Sequence, residues 1–169
     1  MFLEDFKNRV LPTKNKLYRF AFRIVGDTDE AEDIVQEVFL KIWNKRNEMH
    51  LYRNMEAWCM RLTKNLSLDK VKSKSFKTSR DKQEVDLPVN GYSPYQQTEW
   101  NDVLQNINDF INELPEKQNH IIQLRDVEGY SYQEIADILE VDLNQVKVNL
   151  FRARKTIKDK LQKTESYGL

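Results

Sequence analysis

Apolar residues along this chain recur mostly at intervals of three and four. Leu17, Phe20, Ala21, Ile24 and Val25 form one such set and stop at Gly26, a residue type that ends helices because it enters the left-handed backbone region without strain. A second set follows at once in Ile34, Val35, Val38, Phe39, Ile42 and Trp43, making a broad stripe. It opens in an acid-rich stretch, Asp27, Asp29, Glu30, Glu32 and Asp33, where carboxylates suit the positive end of a helix. After a polar connection at 47–54, Trp58, Leu62 and Leu66 step by four along a third helix, which carries Arg61, Lys64, Lys70, Lys72 and Lys74 toward its end. These elements predict a helical bundle of about 75 residues, near the lower size at which a domain folds unaided.

The periodicity breaks near 73–98, where Ser73, Ser75, Thr78, Ser79, Pro88, Asn90, Gly91, Ser93 and Pro94 cluster among few apolar groups. That composition predicts a flexible linker over 76–98. Helical spacing resumes with Trp100, Val103, Leu104, Ile107, Phe110, Ile111 and Leu114, closed by Pro115, and a further helix at 121–127 leads into Gly129. Ser131 with Glu134 three residues later is a capping box. It opens a short helix whose Ile135, Ala136, Ile138 and Leu139 face inward. Asp142 then caps a last helix with Val146, Leu150, Ala153, Ile157 and Leu161 on its apolar side.

Two short helices joined by a tight turn are a helix-turn-helix, with Ala136 and Val146 at the close-packing positions. The outward face of the second helix carries Lys147, Phe151, Arg154 and Lys158, flanked by Asn144, Arg152 and Lys155. In such a motif the start of the second helix enters the major groove and cations further along hold phosphates. A solvated amphipathic helix shows the same spacing, but the capped helix and turn before it favour the motif. The turn position usually given to Gly holds Glu140. A positive φ on such a residue costs on the order of 1 kcal/mol, so a locally rearranged turn is expected.

The expected fold class is therefore all-α: two small helical domains, 1–75 and 99–163, joined by a flexible linker. Four Gly and four Pro among 169 residues agree with helices rather than many short strands. Charge changes the picture more. Lys plus Arg and Asp plus Glu are both 27, which taken alone discourages a nucleic-acid partner. Divided along the chain, however, 1–40 has 6 basic and 8 acidic residues, 41–82 has 12 and 4, 83–142 has 2 and 13, and 143–169 has 7 and 2. The zero total conceals two basic blocks, each following an acidic one, and charges act only over about 8 Å in physiological salt. The lone cysteine, Cys59, excludes an internal disulfide. No apolar run is long enough to span a bilayer and no export signal is present, so the cytoplasm is the expected compartment.

Two segments carry a resemblance. "LYRFAFRIVGDTDEAEDIVQEVFLKIW" with "AWCMRLTKNLSLDKVKSK", and then "ELPEKQNHIIQLRDVEGYSYQEIADILEVDLNQVKVNLFRARKTI", resemble regions 2 and 4 of bacterial RNA polymerase sigma factors of the extracytoplasmic function class. The resemblance covers nearly the whole chain except the linker. It implies that the first domain binds the polymerase clamp and captures the melted minus-10 element, and that the second binds the flap and reads the minus-35 element. It assigns Asp33, Gln36, Glu37 and Phe39 to core polymerase, through the family's D-x-x-Q-E-x-F segment. Tyr52, Arg53 and Asn54, beside His50, fall in the loop that grips a flipped base. Arg61, Lys64, Asn65, Asp69 and Lys72 fall on the helix lining single-stranded and duplex DNA. Asn144, Gln145, Lys147, Val148, Phe151, Arg152, Arg154 and Lys155 fall on the minus-35 reader. Val148 and Asn149 stand where the family commonly has Ser and Arg, so the base preference is expected to be the chain's own. The family usually has an anti-sigma partner; no cofactor, metal or membrane insertion is implied.

Blander readings weigh against some of these residues. Asp29 to Asp33 can simply stabilise a helix start, Phe39 is partly core in either reading, Trp58 fits a core position better than a base-stacking one, and Lys70 to Lys82 can be a solvated linker entrance. An enzyme fits poorly. His50 and His120 are far apart, no Gly-rich phosphate loop occurs, and Glu116 with His120 at i,i+4 is read as a surface contact rather than half a metal site. The nearer rival is a two-domain transcriptional regulator, which would bind its site without core polymerase.

Overall fold

A computed structural model of the chain describes residues 1–75 and 94–166, with side chains at 1–74 and 102–164. Every regular element among the described residues is helical. Short α1 (Phe2–Asp5) continues through wider and tighter helical turns at Phe6–Val10 and Leu11–Thr13 into α2 (Lys14–Val25). There follow α3 (Thr28–Asn44), a tight helical turn at Arg46–Leu51, and α4 (Met55–Ser75). Then come α5 (Pro94–Glu113), α6 (Glu116–Ile122) with a wide turn at Gln123–Val127, α7 (Tyr132–Leu139) and α8 (Leu143–Ser166). The helices gather into two compact units, α1 to α4 in the first and, but for Asp137–Glu140, α5 to α8 in the second.

In the first unit α2, α3 and α4 pack pairwise. Gly26 ends α2 at φ 73°, its N–H donating to the Phe22 carbonyl at 2.7 Å. The next residue starts α3: the Asp27 carboxylate accepts from the N–H groups of Asp29 at 2.8 Å and Glu30 at 3.1 Å, satisfying two donors that a helix start leaves open. Leu17, Phe20, Ala31, Ile34, Val38, Ile42, Met60 and Cys59 are buried between the three helices. The N-terminal segment closes one side, where Phe6 sets its ring edge-on to Phe39 at 6.0 Å and Trp43 at 5.4 Å. Trp58 is buried, as its spacing suggested, and stacks on Tyr52 with ring centres 3.9 Å apart.

The second unit packs α6 and α5 against α8. Ile111, Ile121, Leu124, Ile135, Val146, Leu150 and Ala153 form its core. Both motif caps are made. The Ser131 hydroxyl accepts from the Glu134 N–H at 3.1 Å while the Glu134 carboxylate accepts from the Ser131 N–H at 3.0 Å, and Asp142 accepts from the Gln145 N–H at 2.8 Å.

Residues 76–93 of the expected linker lie outside the described residues, and α5 begins at Pro94, whose fixed φ suits a first helical position. Two expectations are corrected. Glu116 and His120 do not share a surface, since Glu116 is exposed and His120 buried. The turn of the helix-turn-helix is not rearranged. Glu140 itself takes φ 56°, and the Val141 N–H donates to the Ala136 carbonyl at 3.1 Å, the six-to-one bond of a glycine-type helix end.

The last observation sets a stability expectation. Glu140→Gly keeps the turn and relieves a left-handed backbone, so the unfolding free energy measured by urea denaturation should rise by about 1 kcal/mol. Glu140→Ala, which keeps a Cβ, should give no such gain.

Burial pushes the Cys59 thiol up to about 12, against a lowering hydrogen bond from Thr13. The folded state thus holds this proton more tightly than the unfolded one. Its contribution to stability is intact below the ordinary thiol value of 9.0 and is lost as pH climbs toward about 12. At pH 8 a thiol-exchange reagent should modify Cys59 only as fast as the fold opens, giving no mass shift in the native protein and a full shift in urea.

Candidate functional site

On the first unit the assigned residues divide between α3 and the α3–α4 connection with α4. Asp33, Gln36 and Glu37 project from one side of α3 because the opposite side is committed to Ile34, Val35, Val38 and Ile42 in the core. Asp33 and Gln36 are exposed, and the Glu37 carboxylate lies 3.9 Å from Lys41 in a solvent-facing pair. Phe39 is turned inward against Phe6 and is half-buried, so it supports this face more than it forms it. The residue that sequence reasoning missed is Leu40, which is 62% exposed on the same side as Asp33 and Glu37. Its signal was present: an apolar residue that falls off the stripe of its own helix.

The connection and α4 carry the second group. Asn54 accepts from the Ala57 N–H at 2.9 Å, so its carbonyl caps α4. Tyr52 lies half-buried on Trp58, and its carbonyl accepts from Arg9 Nη2 at 3.0 Å. Both residues are held by the fold before any ligand arrives, while Arg53 between them is exposed. Arg61, Asn65, Asp69 and Lys72, spaced by four, four and three, share one side of α4. Of these Asn65, Asp69 and Lys72 are exposed and Arg61 is half-exposed. Lys64 is buried, which sets it apart from the solvent-facing cations. Further on, Lys74 pairs with Glu30.

On the second unit, burial of Val146, Leu150, Ala153 and Ile157 leaves Asn144, Gln145, Lys147, Val148, Phe151, Arg152, Arg154 and Lys155 exposed on α8. They are not equally available. The Arg154 guanidinium makes a two-pronged contact with Asp126, Nε to Oδ2 at 3.0 Å and Nη2 to Oδ1 at 2.6 Å. Asp126, through those hydrogen bonds, holds the Arg154 pKa above its ordinary value. Lys117 Nζ donates to Gln145 Oε1 at 3.0 Å, and the Asn149 amide donates to the Gln145 carbonyl at 2.8 Å. Neither Asp126 nor Lys117 was identified from sequence. Each lies 28 residues from its partner, and no helical period connects residues so far apart.

Beside Asp126, Arg125 donates to the Tyr130 carbonyl at 2.8 Å and lies over the Tyr132 ring at 4.8 Å. One turn thus ties α6, the start of α7 and α8 together. Among the described residues no group of His, Cys, Asp and Glu is placed to hold a metal ion, and no helix is long and apolar enough to cross a membrane.

This arrangement can now be set beside known proteins. Residues 10–77 match the family model for Sigma-70 region 2, and residues 104–157 match the model for Sigma-70, region 4. The chain belongs to the sigma-70 family. It is 27% identical over 160 residues to the ECF RNA polymerase sigma factor SigW of Bacillus subtilis, covering 88% of this chain and 84% of that one. It is 29% identical over 154 residues to the ECF RNA polymerase sigma factor SigE of Mycolicibacterium smegmatis, covering 90% of this chain and 60% of that one. The fold is similar to that of the sigma factor RpoE in its complex with the anti-sigma factor NepR from Bartonella quintana. The TM-score is 0.75 at 24% identity, over 94% of this chain and 98% of the other. The family and these relatives make the chain a sigma factor of the extracytoplasmic function class, a DNA-binding factor for promoter recognition and transcription initiation.

The Asp126 pair sets Arg154 apart from the other exposed cations of α8. Phosphate contacts show in the dependence of binding on salt, each contributing about one to the slope. On a minus-35 duplex, Lys147→Ala and Arg152→Ala should each lower that slope by about one. Arg154→Ala should leave it unchanged and cost up to about 1 kcal/mol of folding stability, as a solvent-facing pair would. Asp126→Ala, which releases the guanidinium, should raise the slope. Fluorescence anisotropy across a salt series reads all four.

Proposed function

We propose that the two units divide initiation between them: 1–75 engages core polymerase and the minus-10 element, 99–163 engages the flap and the minus-35 element, and 76–98 links them. The observation that carries this reading is the pair of unlike exposed faces. An acidic and polar face of α3, centred on Asp33, Gln36, Glu37 and Leu40, suits a protein partner; α8 presents Lys147, Arg152 and Lys155 around Asn144, Gln145, Val148 and Phe151, which suits duplex DNA. Phe39 buttresses the first face and Arg154 braces the second.

In the same reading Tyr52, Arg53 and Asn54 receive an unstacked base of the minus-10 strand. The held positions of Tyr52 and Asn54 support this, because a pre-ordered loop loses less entropy on binding. Arg61, Lys64, Asn65, Asp69 and Lys72 would lie along the adjoining strand, with exposed Lys72 acting on phosphate and buried Lys64 supporting the helix behind that face. The chain catalyses nothing itself; its work is binding and melting, done in the cytoplasm with core polymerase and promoter DNA. The similar RpoE is held by an anti-sigma factor, and we assign this chain an inhibitor of that class.

Purified core polymerase supplied with this protein should produce transcripts with discrete start sites on a library of promoter fragments. Random or absent starts would overturn the reading. Asp33→Arg combined with Glu37→Arg should abolish core binding while circular dichroism shows the helices intact, since neither side chain is in the core. Unchanged affinity would reject this interface.

A further inference from the structure

The N-terminal segment reaches the loop that joins α3 to α4. Phe6–Val10 is a single wide helical turn packed against α4, and it is anchored on both sides of Arg9. Phe6 sets its ring edge-on to Phe39 and Trp43 of α3. Val10 is fully buried, and its carbonyl accepts from the Thr13 hydroxyl at 2.6 Å. Arg9 therefore rises from a fixed base. Its side chain is partly buried, and Nη2 donates at 3.0 Å to the carbonyl of Tyr52, 43 residues away.

Tyr52 is held at its other groups as well. Its N–H donates to the Met49 carbonyl at 3.3 Å, and its ring stacks on Trp58 with the planes 6° apart. Beyond Arg53, the Asn54 side chain caps α4. Arg9 settles the remaining element, the peptide that joins Tyr52 to exposed Arg53. A trans peptide is planar, so its carbonyl and the N–H of the next residue point in opposite directions. Fixing the Tyr52 carbonyl on Arg9 thus aims the Arg53 N–H away from the N-terminal segment.

Resting on the minus-10 role proposed above, we infer that Arg9 is a positioning residue for that loop. It touches no base itself; by holding the Tyr52–Arg53 peptide it sets the N–H and side chain of Arg53 to meet the unstacked base. A peptide left to rotate would have to be ordered at the moment of binding, which weakens the complex at the base that this loop receives. A direct phosphate contact by Arg9 would act differently, weakening every sequence alike and lowering the salt slope by about one.

The test uses holoenzyme assembled from core polymerase and the full chain, with a promoter fragment that this holoenzyme selects from a randomised pool. Each minus-10 base of the non-template strand is replaced in turn by an abasic nucleotide, and binding is followed by fluorescence anisotropy across a salt series. With the unaltered chain one position should carry the largest penalty. Arg9→Met keeps the apolar stem of the side chain and removes the donor, and equal affinity for core polymerase shows the first unit intact. This variant should bind the whole fragment about tenfold more weakly, the effect of losing a hydrogen bond to a charged group. It should also lose most of the penalty at that one position, with the other positions and the salt slope unchanged. Arg9→Lys, which keeps a donor of similar reach, should restore both. An unchanged penalty at that position, an equal loss at every position, or a slope lower by about one would overturn the inference while leaving the minus-10 role standing. An unaltered chain that shows no such position would overturn both.

Discussion

The constraint on which the second unit depends is the burial of one seam of α8. Val146, Leu150, Ala153 and Ile157 are all 8% exposed or less, and a helix whose apolar stripe is held at four points has no freedom to rotate. Each buried side chain contributes on the order of 1 to 3 kcal/mol, far above the few tenths that separate one surface arrangement from another. Which residues face outward is thereby decided by the core. Ala136 and Ala153 are buried as well, and their small side chains add little bulk to that core. The same logic applies to α3, where Ile34, Val38 and Ile42 leave Asp33, Gln36 and Glu37 no inward option.

Capping then fixes where each helix begins. Asp27, the reciprocal Ser131–Glu134 pair and Asp142 each satisfy backbone donors at a helix start, worth typically about 1 kcal/mol apiece. Their placement beside tight turns limits the helices to the register the core needs. Glu140 runs against this economy, since a left-handed residue with a side chain is strained. The turn is closed by the Val141 N–H, which donates to the Ala136 carbonyl across it at 3.1 Å.

Much of this was legible in the sequence because it obeys local rules. Periodicity located the stripes of α2, α3 and α8; Ser131 with Glu134, and Asp142, announced their caps; Trp58 showed its core role by stepping with Leu62 and Leu66. What escaped was non-local. The Asp126–Arg154 pair and the Lys117–Gln145 contact join residues on different helices, and nothing in a linear pattern says that a cation at an outward position will meet a carboxylate 28 residues away. His120 escaped for a related reason: its polarity suggested a surface, whereas α6 supplies Ile121 and Ile122 beside it and buries the whole strip. The expected rearrangement of the turn failed because a local strain energy was weighed without the Val141–Ala136 hydrogen bond that closes the turn.

The charge balance acquires a physical meaning from these pairings. A net charge of zero would be uninformative if acidic and basic groups were evenly mixed, but here carboxylates remove particular cations from circulation. Asp126 occupies Arg154, and Glu30 pairs with Lys74. Among the described residues Lys147, Arg152, Lys155 and Lys158 are exposed cations of α8 outside these two pairs. Four phosphate contacts would correspond to a salt slope of roughly −3.6, below that of proteins making six to ten. Such a surface would hold DNA weakly by itself, which favours discrimination: when little affinity comes from phosphate, wrong sequences gain little from it, and contacts to base edges decide more of the outcome. The remaining affinity would come from attachment to polymerase, which turns the second contact into an intramolecular one at high effective concentration. A modest charge on the reader and dependence on a larger partner are thus two sides of one electrostatic choice.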